Sequence, residues 1–142
     1  MNEFTFSEIE LGMSASFEKK ITSDMEDAFR EISGDNNPLH YDDVFAKQIS
    51  DDRYCSHVCF GMLTASLYST MGGMYLPGKY SLIHSFDRLS FLKPVYAGDT
   101  LKVEGKVIDK NDALKMIILD AKILNQHNQA VSKAKMKILV MK

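Results

Sequence analysis

The sequence predicts an α+β domain in which an antiparallel sheet wraps around one buried helix. From Cys59 to Met71 the chain is apolar and small-residued, with Met62, Leu63, Ala65, Leu67 and Met71 pointing to several faces. A helix that is apolar all round must be enclosed. Beyond Ser81 the chain reads as successive strands separated by turn residues, which supplies the enclosing sheet. With 142 residues there is material for one core and too little for two, so a single domain is expected over 1–142.

Composition removes several function classes. The chain is 45% apolar and 25% charged, the balance of a soluble globular protein. A formal net charge of −2 provides no basic field for nucleic acid. No run approaches the roughly 18 apolar residues of a membrane span, and the polar N-terminus does not read as a signal peptide. Two cysteines in that setting are expected as reduced thiols in the cytoplasm. Nine methionines give pliable apolar surface, which suits a flexible apolar ligand and equally suits any core.

In chain order, Phe4, Phe6, Ile9 and Leu11 form an entry segment with side chains free to pack. Ser14 to Ile21 alternates weakly and is expected as a first strand. Ser23-Asp24-Met25-Glu26 has the spacing of a capping box, and Met25, Ala28, Phe29 and Ile32 follow at helical spacing. That helix is expected to end at Ser33-Gly34. A short helical turn from Asp42 to Ala46 and an exposed loop from Lys47 to Asp52 precede the buried helix, which Gly72-Gly73 is expected to end. Ser81 to Phe91 is β-compatible and closed by Pro94. Leu101, Val103 and Val107 alternate with lysines and a glutamate, and Gly105 keeps the inward phase. A turn at Asp109 to Asp112 leads to a strand from Leu114 to Leu124. The turn Asn125 to Gln129 leads to the last strand, in which Ala134, Met136, Ile138 and Val140 alternate with lysines. The strands are expected to form a meander.

The candidate chemistry lies in Ser33-Gly34-Asp35-Asn36-Asn37-Pro38-Leu39-His40-Tyr41-Asp42. Pro38 lacks a backbone N–H and pushes Asn37 out of the α region, so Asp35 and His40 sit on a stiff turn. A carboxylate and an imidazole aimed from one rigid loop have the makings of an acid/base site. Asn37 has two readings: ligand contact, or hydrogen bonding to neighbouring backbone to fix the turn. Asp42 reads as structural. Cys55, His57 and Cys59 form a C-x-H-x-C cluster, but a fourth ligand at sensible spacing is missing and no metal is expected. His84 and His127 read as solvated or satisfied histidines.

The string S-G-D-x-N-P-L-H-x-D, answered further on by Gly61-Met62-Leu63, resembles the signature of the MaoC-like, (R)-specific enoyl-CoA hydratases of the hotdog fold. Phe91-Leu92-Lys93-Pro94-Val95 with Gly98-Asp99-Thr100-Leu101 is similar to a second segment shared by many hotdog proteins. The resemblance implies hydration of trans-2-enoyl thioesters to 3-hydroxyacyl thioesters, or the reverse. It implies Asp35 and His40 acting jointly through one water, without settling which is the base. It also implies a homodimer, an acyl thioester of coenzyme A or acyl carrier protein as substrate, and no separate cofactor.

Growing charge on the thioester oxygen needs a donor, and the backbone N–H of Gly61 at the start of the buried helix is the candidate. Ser69 is read as lying on the same helix face as Gly61, either lining an acyl tunnel or bonding back to its own helix. Arg88 and Lys93 are candidates for the phosphates of coenzyme A. Two departures from the family pattern stand out. Phe60 occupies the position where the family usually has His, and the stretch between His40 and Gly61 is a few residues longer than usual. Two rivals remain at this point: a hotdog thioesterase, disfavoured because Gly61 to Met71 carries no Asp or Glu, and a noncatalytic acyl-thioester binding module or dehydratase subunit.

Overall fold

The computed structural model describes residues 1–142. Strand β1 (Ser14–Lys20) is followed by helices α1 (Ser23–Ser33), α2 (Asp43–Ile49) and α3 (Gly61–Thr70). Strands β2 (Ser81–Phe91), β3 (Thr100–Asn111), β4 (Met116–Leu124) and β5 (Ala130–Val140) then complete the chain. All five strands join one antiparallel sheet in the order β1-β3-β4-β5-β2. The α+β expectation therefore holds, with a correction to its connectivity. Only β3, β4 and β5 form a meander; β2 crosses to the far edge and pairs with β5.

Alternation along the strands puts one face of the sheet inside. Phe17 lies opposite Val103, Val103 opposite Ile123, Leu119 opposite Met136, and Ile117 opposite Ile138. Val103, Ile117, Leu119, Ile123, Met136 and Ile138 join Leu63, Ala65, Leu67 and Tyr68 of α3, and Met71 just beyond it, in one buried apolar cluster, against which Phe17 packs half-buried. Gly105 allows the closure: a Cβ there would stand 3.1 Å from Met71 Cγ and Sδ. Inside this apolar shell, the Tyr68 hydroxyl donates to Ser132 Oγ at 3.0 Å, and Ser132 donates to the Ser90 carbonyl at 2.9 Å. Burial pushes the Tyr68 phenol up to about 12, so it remains a donor at physiological pH.

Several local expectations are corrected. Gly72-Gly73 does not end the buried helix; the chain continues through them in a wider, π-type turn from Met71 to Tyr75. Gly72 packs where a Cβ would stand 3.3 Å from Ile138 Cδ1, so tertiary contact overrides its tendency to break a helix. α1 is capped by Thr22, whose hydroxyl accepts the Met25 N–H, rather than by a Ser23–Glu26 box. Glu26 has turned inward and is buried, whereas Ile32 is 84% exposed. The inner face of α1 is thus rotated from the apolar stripe and comprises Met25, Glu26, Phe29 and Arg30. Leu11 is exposed, although Phe6 and Ile9 are buried as expected. Helix α2 takes up Lys47 to Ile49 of the expected loop, and β3 runs through the expected turn to Asn111.

Removing the Tyr68 hydroxyl should weaken the fold without reshaping it. Tyr68→Phe is expected to lose about 1 kcal/mol of unfolding free energy. The urea midpoint should fall while the denaturant slope stays constant. An unchanged midpoint would show that the buried hydroxyl chain contributes nothing net.

Candidate active site

The turn after α1 is built by side chains bonding to nearby backbone. Asp35 Oδ1 accepts the Asn37 N–H at 3.0 Å, and Asn37 Oδ1 accepts the Leu39 N–H at 3.0 Å. Asn37 caps a short 3₁₀ turn, Pro38–His40, with proline at its first position. Asp42 then caps α2 by accepting the Phe45 N–H at 3.0 Å, the structural role expected of it. These bonds carry the chain from α1 to α2 and turn His40 inward.

His40 is fixed by its neighbours. Its Nδ1 lies 2.7 Å from the Val58 carbonyl oxygen. A carbonyl only accepts, so Nδ1 carries a proton, and in the neutral ring the lone pair is on Nε2. The ring packs on Phe60 with centroids 4.2 Å apart, and Phe60 rests in turn on Phe29 at 5.2 Å. Phe60 thus serves as a platform for the imidazole. The segment carrying Val58 is itself held on both sides: the Val58 N–H donates to Leu39 O at 3.0 Å, and the Cys59 N–H to Val95 O at 2.8 Å.

Helix α3 begins at Gly61 with Phe60 in the N-cap position, which offers no side-chain acceptor. The first intrahelical bond runs from the Thr64 N–H to Phe60 O, and the amides of Gly61, Met62 and Leu63 have no acceptor within the protein. Gly61 and His40 line the same cavity of about 300 Å³, walled by Leu39, Val58, Phe91 and Val95. A Cβ on Gly61 would stand 3.3 Å from the Phe91 ring, so glycine keeps this wall thin.

Not every predicted site residue joins them. Asp35 is exposed in its turn with one oxygen bonded to Asn37, and it does not line this cavity. Asn37 is exposed and its side-chain oxygen fixes the turn. Ser69 is exposed and lies outside the cavity wall. Lys93 stands exposed at the cavity mouth, whereas Arg88 does not line it. His84 bonds Ser85 Oγ at 3.1 Å and is exposed, as is His127.

Three features escaped the sequence. The Val58 carbonyl that orients His40 carries no side-chain signal. Thr64, three residues after Gly61, lines the cavity, and its buried hydroxyl meets no partner. Its signal was a hydroxyl in the first turn of the helix, set between Leu63 and Ala65. Third, His57 lies between two carboxylates: its Nδ1 is 2.5 Å from Asp43 Oδ1 and its Nε2 is 3.3 Å from Glu26 Oε2. The C-x-H-x-C spacing does not gather its members, because Cys55 is at the surface and Cys59 is in the core.

Burial pulls the His57 imidazole down, but the bonds and charges of Asp43 and Glu26 outweigh it and hold His57 above its ordinary pKa. The His57 backbone N–H and then its ring hold Asp43 below the usual carboxylate value. Burial, followed by the charge of Glu26, pushes the Cys59 thiol up to about 12.

A pH window follows from these directions. The imidazolium's contribution is complete below about pH 6.5 and is lost as pH rises through the raised His57 value. The contribution of Asp43 is complete above about pH 3.9 and is lost as pH falls through its lowered value. The pair therefore stabilises most between about pH 4 and 6.5. Asp43→Asn is expected to lower the urea midpoint most inside that window and progressively less toward about pH 9. A deficit that stayed constant across the range would contradict an ion pair.

The same architecture and sequence recur in known proteins. A family model described as the MaoC-like domain matches residues 6–128. The (R)-specific enoyl-CoA hydratase of Aeromonas caviae is 36% identical over 118 residues, covering 83% of this chain and 85% of that protein. The 3-hydroxybutyryl-CoA dehydratase of Methylorubrum extorquens is 32% identical over 104 residues, covering 73% of this chain and 64% of that protein. Among solved structures, the unliganded R-hydratase of Pseudomonas aeruginosa superposes with a TM-score of 0.88 at 27% identity, covering 99% of this chain and 87% of that one. The Aeromonas caviae (R)-hydratase gives a TM-score of 0.85 at 30% identity, over 93% and 97% of the two chains. A sheet curled round a buried helix, the uncapped amides at its tip and the matched sequence all agree, and the chain belongs to the MaoC-like dehydratase family with the hotdog fold.

Proposed function

We propose that this protein catalyses the (R)-specific addition of water to trans-2-enoyl thioesters, and the reverse dehydration of 3-hydroxyacyl thioesters. One observation carries the reading. An imidazole whose proton is fixed on Nδ1 shares a cavity with the unpartnered Gly61 amide. In the forward direction Nε2 of His40 receives a proton from water as its oxygen bonds to C3. The proton so taken up is then passed to C2, and charge growing on the thioester oxygen is met by the Gly61 N–H, reinforced by the α3 dipole. Asp35, with one oxygen held by the turn, is assigned to the same water as His40.

Water addition neither oxidises nor reduces the substrate, so coenzyme A or acyl carrier protein enters only as part of the thioester. Lys93 at the cavity mouth suits the anionic phosphates of such a carrier. The Asn37 amide nitrogen and the Ser69 hydroxyl, free of protein partners, are assigned to substrate contact. A homodimer is proposed through β2, an edge strand with Leu82 and Phe91 exposed. The setting is assigned as cytoplasmic, in keeping with free thiols at Cys55 and Cys59.

The test is turnover of crotonyl and longer 2-enoyl thioesters, with the product resolved on a chiral column. The (R)-3-hydroxyacyl thioester is expected. His40→Ala and Asp35→Asn should each lower kcat by about 10²- to 10⁴-fold while the variants remain folded. Wild-type rates in both variants would refute the assignment, and release of free thiol from saturated acyl-CoA would indicate thioester hydrolysis instead.

A further inference from the structure

We propose that Glu26, His57 and Asp43 form a charged clasp that sets the geometry of the reaction centre, with His57 as its positioning residue. The three come from separate elements: Glu26 from α1, Asp43 from α2, and His57 from the segment leading into α3. Asp43 Oδ1 accepts both the backbone N–H of His57, at 2.9 Å, and its Nδ1–H. On the other side, Nε2 faces Glu26 Oε2. Facing two ionised carboxylates, the ring donates from both nitrogens as the imidazolium, the form that Asp43 and Glu26 favour.

The clasp bears on the reaction centre through very few bonds. The residue after His57 is Val58, whose carbonyl holds the His40 proton on Nδ1. Then follow Cys59, bonded to Val95, and Phe60, the platform for the His40 ring. Next comes Gly61, which lines the cavity and whose amide has no acceptor within the protein. One short segment therefore sets both the imidazole and the oxyanion donor, and His57 pins its beginning. His40 also lines a second cavity of about 220 Å³ together with Glu26 and His57, so little packed matter separates the clasp from the imidazole.

Glu26 makes the clasp sensitive. It is 4% exposed, and its Oε1 has no hydrogen-bond partner. Once the imidazolium proton is lost, the buried Glu26 side chain loses its compensating charge, and the segment has to shift. The other groups facing His57 do not replace that charge. They are Asp27 and Arg30 on α1, His40 and Tyr41 on the turn, Lys47 beside Asp43 on α2, and the Cys59 thiol. Arg30 is already paired with Asp27 at 3.0 Å and lies over the Tyr41 ring.

This inference rests on the proposed hydration chemistry for its kinetic readout and on histidine titration for a readout free of it. With crotonyl-CoA, His57→Gln is expected to lower kcat by about 10- to 100-fold and to leave KM nearly unchanged, the signature of a misplaced catalytic group. Asp43→Asn, a surface change that keeps the fold, should move the alkaline fall of kcat to lower pH. In proton NMR titrations of wild-type protein, the His40 ring should report a second inflection tracking His57, and His57→Gln should abolish it. Absence of that second inflection, or kcat and pH profile unchanged in both variants, would overturn the clasp. If the wild-type protein showed no turnover at all, the functional reading would fail while the titration still decided the clasp.

Discussion

A neutral imidazole acts as a base only through the nitrogen that lacks a proton, and an unconstrained ring exchanges its two tautomers freely. The bond from His40 Nδ1–H to the Val58 carbonyl removes that freedom. Everything else at the site is arranged around it. The Asp35, Asn37 and Pro38 turn fixes the approach of His40; the Leu39 and Val95 backbones fix the segment that bears the acceptor. Phe60 fills the space beneath the ring. An aromatic platform restrains tilt without drawing on either nitrogen, so Nε2 is left without a partner in the protein.

The fold explains why the helix tip keeps free backbone donors and the helix body has none. From Leu63 to Met71 the helix is clasped by the sheet's inner face, and its backbone groups bond to one another. At Gly61 the sheet gives way to the Phe91 ring and a cavity, and the N-cap residue has no polar side chain to satisfy the first amides. Three N–H groups are therefore left pointing where an anion is favoured. Shielding by the sheet and exposure of the tip are two sides of one packing solution.

Much of this was legible in the sequence, because it depended on local patterns. The extent of β2, the end of α1 at Gly34 and the turn at Asn125 to Gln129 follow from alternation and turn chemistry, and the structure has them there. The Asp35–His40 turn was readable because proline and Asx residues act over two or three positions. The crossing of β2 to the far edge was not readable, since strand order depends on long-range pairing that alternation does not encode. The α1 face was misjudged for a related reason: Glu26 is buried only because His57, far along the chain, comes to meet it. Gly72 likewise continues a helical turn because of Ile138, which no window of sequence around it contains.

The two thiols live in different chemical worlds. With its pKa pushed up to about 12, Cys59 is ionised in only about one molecule in 10⁵ at neutral pH, which leaves it nearly deaf to electrophiles. Cys55 is exposed, two residues before His57. A maleimide dye would therefore settle on one place only, a natural attachment point beside the segment that steers the chemistry, and the native chain can carry a fluorescent reporter of that segment's motion without any engineered cysteine.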